Sequence, residues 1–259
     1  MATEFEVPVS GGYRMRVSTD EPLGRALATT GVWEPQITAA FQTLLAPGDV
    51  CVDVGAHIGF FTLLAAELVG PCGRVYAIEP AAETYAALVA NVDLNSAANV
   101  TPLGVAAGAE AGEVKFENRP YRQSLLSAIG PPTALDAVVV PMRPLASLIP
   151  PSDVKRIRLI KIDVEGYELE VLRGLEPLLA SGARPAIVVE LHAGVVEAAL
   201  PLLEALCGRY GLKAYKLSRD ERLDQAIPWA SQLALTQSLE RAYERHLLLA
   251  PPDVRLRLR

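Results

Sequence analysis

Residues 49–59 read Asp-Val-Cys-Val-Asp-Val-Gly-Ala-His-Ile-Gly, and this stretch decides the fold. The pattern predicts an apolar strand over 50–54 that carries one acid, Asp53, and then breaks into a loop with glycines at Gly55 and Gly59. Glycines at these positions let a ligand approach the backbone where a Cβ atom would clash. The loop is therefore a candidate binding loop.

The residues that follow the loop complete a nucleoside-binding pattern. A helix is predicted over 58–69, and a second strand over 74–79 ends in an acid, Glu79. In a parallel sheet this order of elements places a nucleoside at the carboxyl edge, with the second acid positioned to bind the ribose hydroxyls. Glu79 is thus the predicted ribose ligand.

The spacing of the glycines indicates which cofactor binds. A dinucleotide fingerprint would read G-x-G-x-x-G and hold a pyrophosphate on helix-terminal amides. Here His57 stands where the second glycine of that fingerprint would fall, and Asp53 precedes the loop. A carboxylate there repels phosphates but suits a ligand with an ammonium and a sulfonium group. The pattern predicts S-adenosylmethionine.

Composition narrows the class of protein. The chain has 259 residues, of which 51% are hydrophobic, so one large domain or two small ones with a sizeable core are expected. A net charge of −6 argues against a nucleic-acid partner. The three cysteines are scattered, which suggests reduced thiols and no zinc site. Without a signal-like or membrane-spanning apolar run, we expect a cytoplasmic protein that does not bind membranes.

Alternation of strands and helices from residue 47 onward predicts the α/β class. We expect a doubly wound, mostly parallel seven-stranded sheet with helices on both faces. The seven predicted strands lie at 50–54, 74–79, 99–105, 157–163, 186–192, 212–217 and 246–250. Two further strands are predicted at 113–117 and near 137–142, and a helix is predicted over 167–180. Residues 1–46 are predicted to form an extension made of a hairpin over 4–18 and a helix over 30–46, and residues 47–259 the main domain.

A long connection separates the last two predicted strands. The 28 residues 218–245 far exceed the two to five that a simple hairpin needs. Long insertions in compact domains often serve as lids or binding loops, so this one is predicted to cover the pocket of the second substrate. A dimer contact, or a helix that covers the sheet edge, is the alternative, and a homodimer stays open.

Several segments together resemble the FkbM family of S-adenosylmethionine-dependent methyltransferases, which have a Rossmann-like class I fold. The matching segments are Trp33-Glu34-Pro35, residues 47–50 and 53–62, Glu79-Pro80, residues 91–95, Ile160-Lys-Ile-Asp163-Val-Glu165-Gly166-Tyr-Glu168 and Val189-Glu190-Leu-His192. The resemblance covers roughly residues 30–195. Its common loop form is Gly-Ala-Asn-Ile-Gly, where this chain has His57 in place of the asparagine. The resemblance implies O-methylation of a hydroxyl on a small-molecule acceptor, a sugar or a natural product.

The loop pattern and the resemblance together give a set of cofactor-binding candidates. They are Glu34, Asp53, Gly55, His57, Gly59, Phe60, Glu79, Pro80, Ala106 and Asp163. Asp53 is expected to orient the loop amides near the methionine part of the cofactor. The role of Glu34, as a ligand of the cofactor's ammonium group, rests on the resemblance. Ala106 follows the third strand and by position would line the adenine pocket.

Methylation of a hydroxyl requires a base on the acceptor side of the cofactor, because the hydroxyl is a poor nucleophile until its proton is removed. His192 ends the fifth predicted strand of this sheet, and an ordinary imidazole pKa near 6.5 suits a base at neutral pH. Asp163 and Glu190 are the competing candidates. A hard-cation site needs several converging oxygen ligands, and the sequence alone assembles none, so no metal is predicted.

Three other functions are weighed against O-methylation. An N-methyltransferase is disfavoured because the Asn/Asp-Pro-Pro-aromatic turn of many amino-group methylases is absent after the fourth strand, where Asp163-Val-Glu-Gly stands. A non-catalytic binding protein on the same fold is disfavoured by the preserved Asp53, glycines and Glu79. A nicotinamide oxidoreductase is disfavoured by the glycine spacing. The acceptor's identity and a need for a divalent metal are not encoded in any motif.

Overall fold

The structure is a computed structural model that describes residues 4–9, 12–119, 122–124, 137–192, 195–217 and 246–254. It begins with an antiparallel hairpin, β1 (Glu4–Pro8) and β2 (Arg14–Ser18), and two helices, α1 (Pro22–Thr30) and α2 (Pro35–Leu44). The first half of the main domain comprises β3 (Val50–Val54), α3 (Phe60–Val69), β4 (Arg74–Ile78), α4 (Ala82–Leu94), β5 (Val100–Leu103), β6 (Ala106–Ala107), β7 (Gly112–Arg119), β8 (Arg122–Ser124) and β9 (Ala137–Arg143). The second half comprises α5 (Leu145–Leu148), α6 (Pro151–Val154), β10 (Ile157–Ile162), α7 (Glu168–Gly174), α8 (Glu176–Ala180), β11 (Ala186–Glu190), α9 (Val196–Tyr210), β12 (Lys213–Leu217) and β13 (His246–Ala250).

Seven strands form the main sheet in the order β12-β13-β11-β10-β3-β4-β5. Neighbours from β11 to β5 are parallel, whereas β13 is antiparallel to both β11 and β12. The predicted fold class is therefore confirmed. The strand order reverses direction between β3 and β10, and ligands of open α/β sheets bind in the crevice outside the carboxyl ends at such a switch point.

A second, smaller sheet has the order β6-β9-β7-β8. The strand predicted over 99–105 ends at Leu103, and a separate two-residue strand, β6, follows and pairs with β9 instead of extending the main sheet. The strands predicted at 113–117 and 137–142 are β7 and β9 of this sheet. The chain enters this smaller sheet at β6, which directly follows β5, the edge strand of the main sheet.

Two predicted helices are wrong in their boundaries, and glycine or proline explains both. The single helix expected over 30–46 is instead α1 and α2, because Gly31 ends α1 in a left-handed conformation (φ +69°) and Pro35 occupies the first turn of α2. The helix expected over 167–180 is likewise divided into α7 and α8, and Pro177 occupies the first turn of α8.

Hydrophobic clusters cover both faces of the main sheet. Alternate residues of β3 point to opposite faces, so Val52 belongs to one cluster and Cys51 to the other. The second cluster also contains Met15 and Phe41, which shows that the hairpin and α2 share a core with the sheet. The division of the chain at residue 46 stays a prediction, and this shared core indicates close packing across it.

Two further predictions concern membrane-spanning helices and the lid. Within the described ranges, none of the helices combines the length and the apolar character that crossing a bilayer demands. The predicted lid, residues 218–245, lies outside the described residues.

Candidate active site

A crevice at the carboxyl ends of the central strands collects the predicted residues. Gly55 and Glu79 follow β3 and β4, and Asp163 and His192 follow β10 and β11. Because β13 is antiparallel, its first residue, His246, lies at this same edge. The topology thus brings together side chains that are far apart in the sequence.

The loop after β3 passes close to the start of the loop after β10. Gly55 has φ +80°, and a Cβ atom added there would lie 1.7 Å from the carbonyl oxygen of Asp163. The amides of Gly55 and Ala56 both donate to the carbonyl of Ile78, at 3.0 Å each. Gly59 (φ +100°) then begins α3. The crossing of the two loops excludes any side chain at position 55, which explains the first glycine of the motif.

Glu79 is held in place by backbone amides. Its Oε2 accepts from the amide of His57 at 3.0 Å and its Oε1 from the amide of Ala81 at 2.9 Å, and the residue is 5% exposed. Burial raises the pKa of Glu79 to about 7, although the two amides oppose the shift. Each carboxylate oxygen has further lone pairs, so both can still accept from a neighbouring diol.

His57 contributes through its backbone. It has φ +51°, its amide donates to Glu79, and its side chain is exposed. The substitution of histidine for the family's usual asparagine therefore leaves the contact with Glu79 intact. Any contact of the imidazole with the cofactor stays a prediction.

Asp53 lies beneath the loop and is fully buried. Its Oδ2 accepts from the hydroxyl of Thr62 at 2.7 Å, and its Oδ1 has no hydrogen-bond partner among the described residues. Burial raises the pKa of Asp53, and Lys161 and Thr62 oppose that shift. The expectation that Asp53 orients the loop amides is wrong in this structure, because its hydrogen bond goes to α3 instead.

Lys161 is a buried cation that the sequence analysis did not select. Its Nζ lies 3.0 Å from Oδ2 of Asp163, 3.8 Å from Oδ1 of Asp53 and 5.1 Å from the ring centroid of Phe61. Burial alone would lower the pKa of Lys161, but Asp163 and Asp53 raise it above its usual range. Burial alone would raise the pKa of Asp163, and Lys161 lowers it instead. The three charges form one network, in which Asp53 and Lys161 are buried and Asp163 is partly exposed.

A signal for this lysine was present in the sequence. The strand Ile157–Ile162 is otherwise almost wholly apolar and central, so a lysine within it must be buried and needs an acidic partner. The register of β10 on β3 supplies one, since Lys161 lies opposite Asp53.

His192 lies between two carboxylates. Its Nε2 is 2.8 Å from Oε2 of Glu165, and its Nδ1 is 3.1 Å from Oε1 of Glu168. Glu168 is fully buried and also accepts from the amide of Gly166, whereas 55% of the Glu165 side chain is exposed. Hydrogen bonds to Glu165 and Glu168 raise the pKa of His192 to about 10, against the opposing effect of burial. In this arrangement the imidazole is protonated at neutral pH.

Glu34, Glu190 and His246 form a separate cluster at the same edge. Nε2 of His246 lies 3.2 Å from Oε2 of Glu190 and 3.6 Å from Oε1 of Glu34. Burial raises the pKa of Glu34 to about 7, and His246 opposes the shift. Both acids are candidates predicted from the sequence, whereas no sequence pattern indicated a role for His246.

The remaining predicted residues lie in or beside the core. Phe60 is 4% exposed and packs edge-on against Phe61, with ring centroids 5.1 Å apart, and Ala106 is 2% exposed in β6. Pro80 is half-buried directly after Glu79. Contacts of these three with a cofactor stay predictions.

Backbone strain is concentrated at the crevice. Among the described residues other than glycine, four have positive φ: Glu34, His57, Glu165 and Ser96. All but Ser96 belong to the site described above. Strained backbone of this kind persists where the surrounding structure enforces it and is common at functional sites.

Comparisons with known proteins agree with this geometry. Residues 53–207 match the model of the methyltransferase FkbM domain. The chain is 30% identical to hexuronic acid methyltransferase AglP of Haloferax volcanii over 175 residues, which is 67% of this chain and 68% of that protein. It is 32% identical to 31-O-demethyl-FK506 methyltransferase FkbM of Streptomyces tacrolimicus over 196 residues, covering 64% of this chain and 74% of that one. A candidate rRNA methylase of Clostridium thermocellum shares the fold alone, with a TM-score of 0.50 at 14% identity over 83% of this chain and 92% of that one.

Proposed function

Because this chain belongs to the FkbM family of methyltransferases, we propose that it methylates a hydroxyl group of a small molecule. S-adenosylmethionine is the cofactor, and when bound it supplies a methyl group activated by a sulfonium. The relatives named above act on a hexuronic acid and on a demethylated FK506, so a sugar or a natural product is the proposed class of acceptor.

The observation that carries the proposal is the pairing of two kinds of group in one crevice. On one side, the glycine loop and the amide-held carboxylate of Glu79 suit the nucleoside of the cofactor. On the other side, Asp163, Glu190 and His192 lie at the ends of the neighbouring strands. The first set would hold the cofactor, and the second provides groups that can take a proton from a hydroxyl.

His192 is the base we propose, with Glu168 as the residue that positions it. A hydrogen bond from Nδ1–H to the buried Glu168 would fix the ring and leave Nε2 to accept a proton, as in other histidine bases oriented by a carboxylate. Glu165 now occupies Nε2 and is the largest cause of the raised pKa. Displacement of its exposed carboxylate by an acceptor hydroxyl would lower that pKa and free the base.

Bound S-adenosylmethionine would supply the methyl group, and its sulfur would leave with the electrons of the carbon–sulfur bond as S-adenosylhomocysteine. The part of this chain would be to position the acceptor hydroxyl and to take its proton on Nε2 of His192. Asp163 is the competing base, although its ion pair with Lys161 makes it a weaker one.

A methyl-transfer screen tests the proposal. Purified protein, isotope-labelled S-adenosylmethionine and a panel of uronic acids, neutral sugars and polyols would be analysed by mass spectrometry, with amine analogues of each hit included. We expect a methylated hydroxyl product and no reaction on the amine-only analogues. Preferential methylation of amines would overturn O-methylation, and cofactor binding without any turnover would favour a non-catalytic protein.

Two variants test the base once an acceptor is known. His192→Ala should lower kcat by about 10²–10⁴-fold with little change in cofactor affinity. Glu168→Gln should lower kcat less and shift the acid limb of the kcat profile to lower pH, because the imidazole loses an anionic partner. Wild-type turnover by His192→Ala would exclude His192 and make Asp163 the base to test.

A further inference from the structure

Glu34, Glu190 and His246 are brought together by the tertiary fold alone. Glu190 ends β11 and His246 begins β13, and the two are register partners in the antiparallel pair, so their side chains emerge on one side of the sheet. Glu34 reaches them from the residue before α2, where its backbone is held at φ +41°. One coordinating atom from each residue lies within 4.8 Å of the other two.

His246 is buried without a hydrogen bond. It is 3% exposed, and neither ring nitrogen has a hydrogen-bond partner among the described residues. Oε2 of Glu34 is also buried and unpartnered within the same part of the chain. Nε2 of His246 faces both carboxylates at ion-pair distances, without the geometry of a hydrogen bond. Buried polar groups left without full hydrogen bonding are costly, so Nε2 of His246 and Oε2 of Glu34 are suited to a further ligand.

The separations suit a metal ion better than direct hydrogen bonds. Charge-assisted N–H···O bonds have lengths of about 2.7–2.9 Å, whereas Nε2 of His246 lies 3.2 Å and 3.6 Å from the two carboxylate oxygens. Ligands held at about 2.0–2.2 Å from one ion in tetrahedral geometry are about 3.4 Å apart. The observed distances bracket that value.

We propose that Glu34, Glu190 and His246 bind a divalent first-row transition-metal ion. Two carboxylates and a neutral imidazole carry a charge of −2, which balances the charge of a divalent ion. This mixed set of nitrogen and oxygen donors suits Mn²⁺, Co²⁺ or Zn²⁺ better than it suits Mg²⁺, which prefers sites made of oxygen ligands alone. Three protein ligands leave coordination positions for water or for an oxygen of the acceptor, the latter resting on the proposed function.

The proposed metal site differs from two expectations, the absence of a metal and the binding of the cofactor's ammonium group by Glu34. The sequence analysis predicted no metal, because the three ligands are dispersed over more than 200 residues of the chain. It also expected Glu34 to bind the ammonium group of the cofactor. If Glu34 coordinates a metal ion, its carboxylate would not also bind the ammonium group of the cofactor. Metal binding and cofactor binding by Glu34 can therefore be separated by experiment.

Mn²⁺ is the probe, and the test uses neither cofactor nor acceptor. Full-length protein without a histidine tag would be treated with a chelator and titrated with Mn²⁺ by electron paramagnetic resonance. We expect saturable binding of one ion per chain, with an electron spin echo signal from a coordinated nitrogen. His246→Gln should remove the nitrogen signal, and Glu190→Gln and Glu34→Gln should each weaken binding by at least about 10-fold.

Matched controls make the result specific. Glu83→Gln, an exposed carboxylate on α4, and His192→Gln should each leave Mn²⁺ affinity within about twofold. If a ligand variant fails to fold, the nitrogen signal of the wild-type protein and an increase of its melting temperature by Mn²⁺ still test the site.

Three results would overturn the proposal: no saturable binding by the wild-type protein, binding without coordinated nitrogen, or equal affinity in all variants. A Glu34→Gln variant that loses cofactor affinity but keeps Mn²⁺ affinity would assign Glu34 to the cofactor instead. None of these outcomes bears on whether the chain transfers methyl groups, so failure here leaves the proposed function standing.

Discussion

The two sides of the crevice are built on different principles. On the proposed cofactor side, Glu79 is fixed by backbone amides and Asp53 by a threonine hydroxyl, and the contacts arise within residues 53–81. On the proposed acceptor side, His192 and His246 are flanked by carboxylates that come from other segments of the chain. One side is preformed by local backbone geometry, and the other by charge pairing across the fold.

This difference determines how each side of the crevice can respond to a bound ligand. Carboxylates held by amides keep their orientation whether or not a ligand is present, which favours binding of a constant ligand such as a cofactor. Charged side chains paired with one another can exchange partners for a substrate or a metal ion, and their pKa values change when they do. Lys161 connects the two sides, because it contacts Asp53 on one and Asp163 on the other.

The largest expected effect concerns that connection. Lys161→Met would leave Asp53 and Asp163 without their shared cation, and breaking a buried ion pair typically costs about 3–5 kcal/mol. We expect the free energy of unfolding to fall by that amount in urea titrations at pH 7. Lys213→Met, an exposed lysine on β12, is the control and should change it by less than about 0.5 kcal/mol. Equal stabilities of the two variants would mean that the sides are not coupled through this lysine.

Next in size is a pH dependence from the cofactor side. Glu79 has a pKa of about 7 in the folded protein and an ordinary value of 4.5 when unfolded. An acid with a raised folded pKa keeps its proton longer when folded, so stability falls as pH rises from 4.5 to 7, by about 3 kcal/mol in all.

Glu79→Gln should remove this slope. Between pH 5 and pH 8, the free energy of unfolding of the wild-type protein should therefore fall by about 2.5 kcal/mol more than that of Glu79→Gln. Parallel pH profiles would show that the amides of His57 and Ala81 fully offset the burial of Glu79.

A smaller effect is expected on cofactor affinity. At pH 8, where Glu79 is ionised, Glu79→Gln should weaken binding of S-adenosylmethionine by about 10–100-fold, because hydrogen bonds to a charged acceptor contribute about 1.5–3 kcal/mol. Calorimetry on this variant, beside Glu83→Gln as the matched exposed control, measures it. Unchanged affinity would remove Glu79 from the ribose site and weaken the division into two sides.

The smallest effect concerns the support beneath the loop. Thr62→Val deletes the hydroxyl that donates to Asp53 and should lower the free energy of unfolding by about 1–2 kcal/mol, since a buried acceptor loses its partner. Thr29→Val, on the exposed face of α1, is the control. A variant as stable as wild type would indicate that Lys161 alone satisfies Asp53.

The cofactor side could be predicted from the sequence because its determinants are local. The strand, the glycines at 55 and 59, the helix and Glu79 follow one another within about thirty residues, so they can be read as one motif, although the close approach that requires Gly55 is made by Asp163 in a distant segment. Continuous apolar runs separated by helical segments likewise indicated all seven strands of the main sheet, with errors where Gly31, Pro35 and Pro177 set the ends of helices.

The acceptor side could be predicted only as a set of candidate residues. The sequence placed Asp163, Glu190 and His192 at the ends of strands, but it could not show that His192 would lie between Glu165 and Glu168, or that His246 would meet Glu34 and Glu190. Those contacts depend on the antiparallel register of β13 on β11 and on the path of α2 across the edge.

The sequence by itself therefore indicated the strands, the glycine loop and the acid at position 79, because these features follow one another in a short stretch with a recognisable order. Only the tertiary structure decided which charges share a partner. Coulomb interactions and desolvation depend on distance and burial in space, and residues 34, 190 and 246 acquire both only when the sheet is assembled.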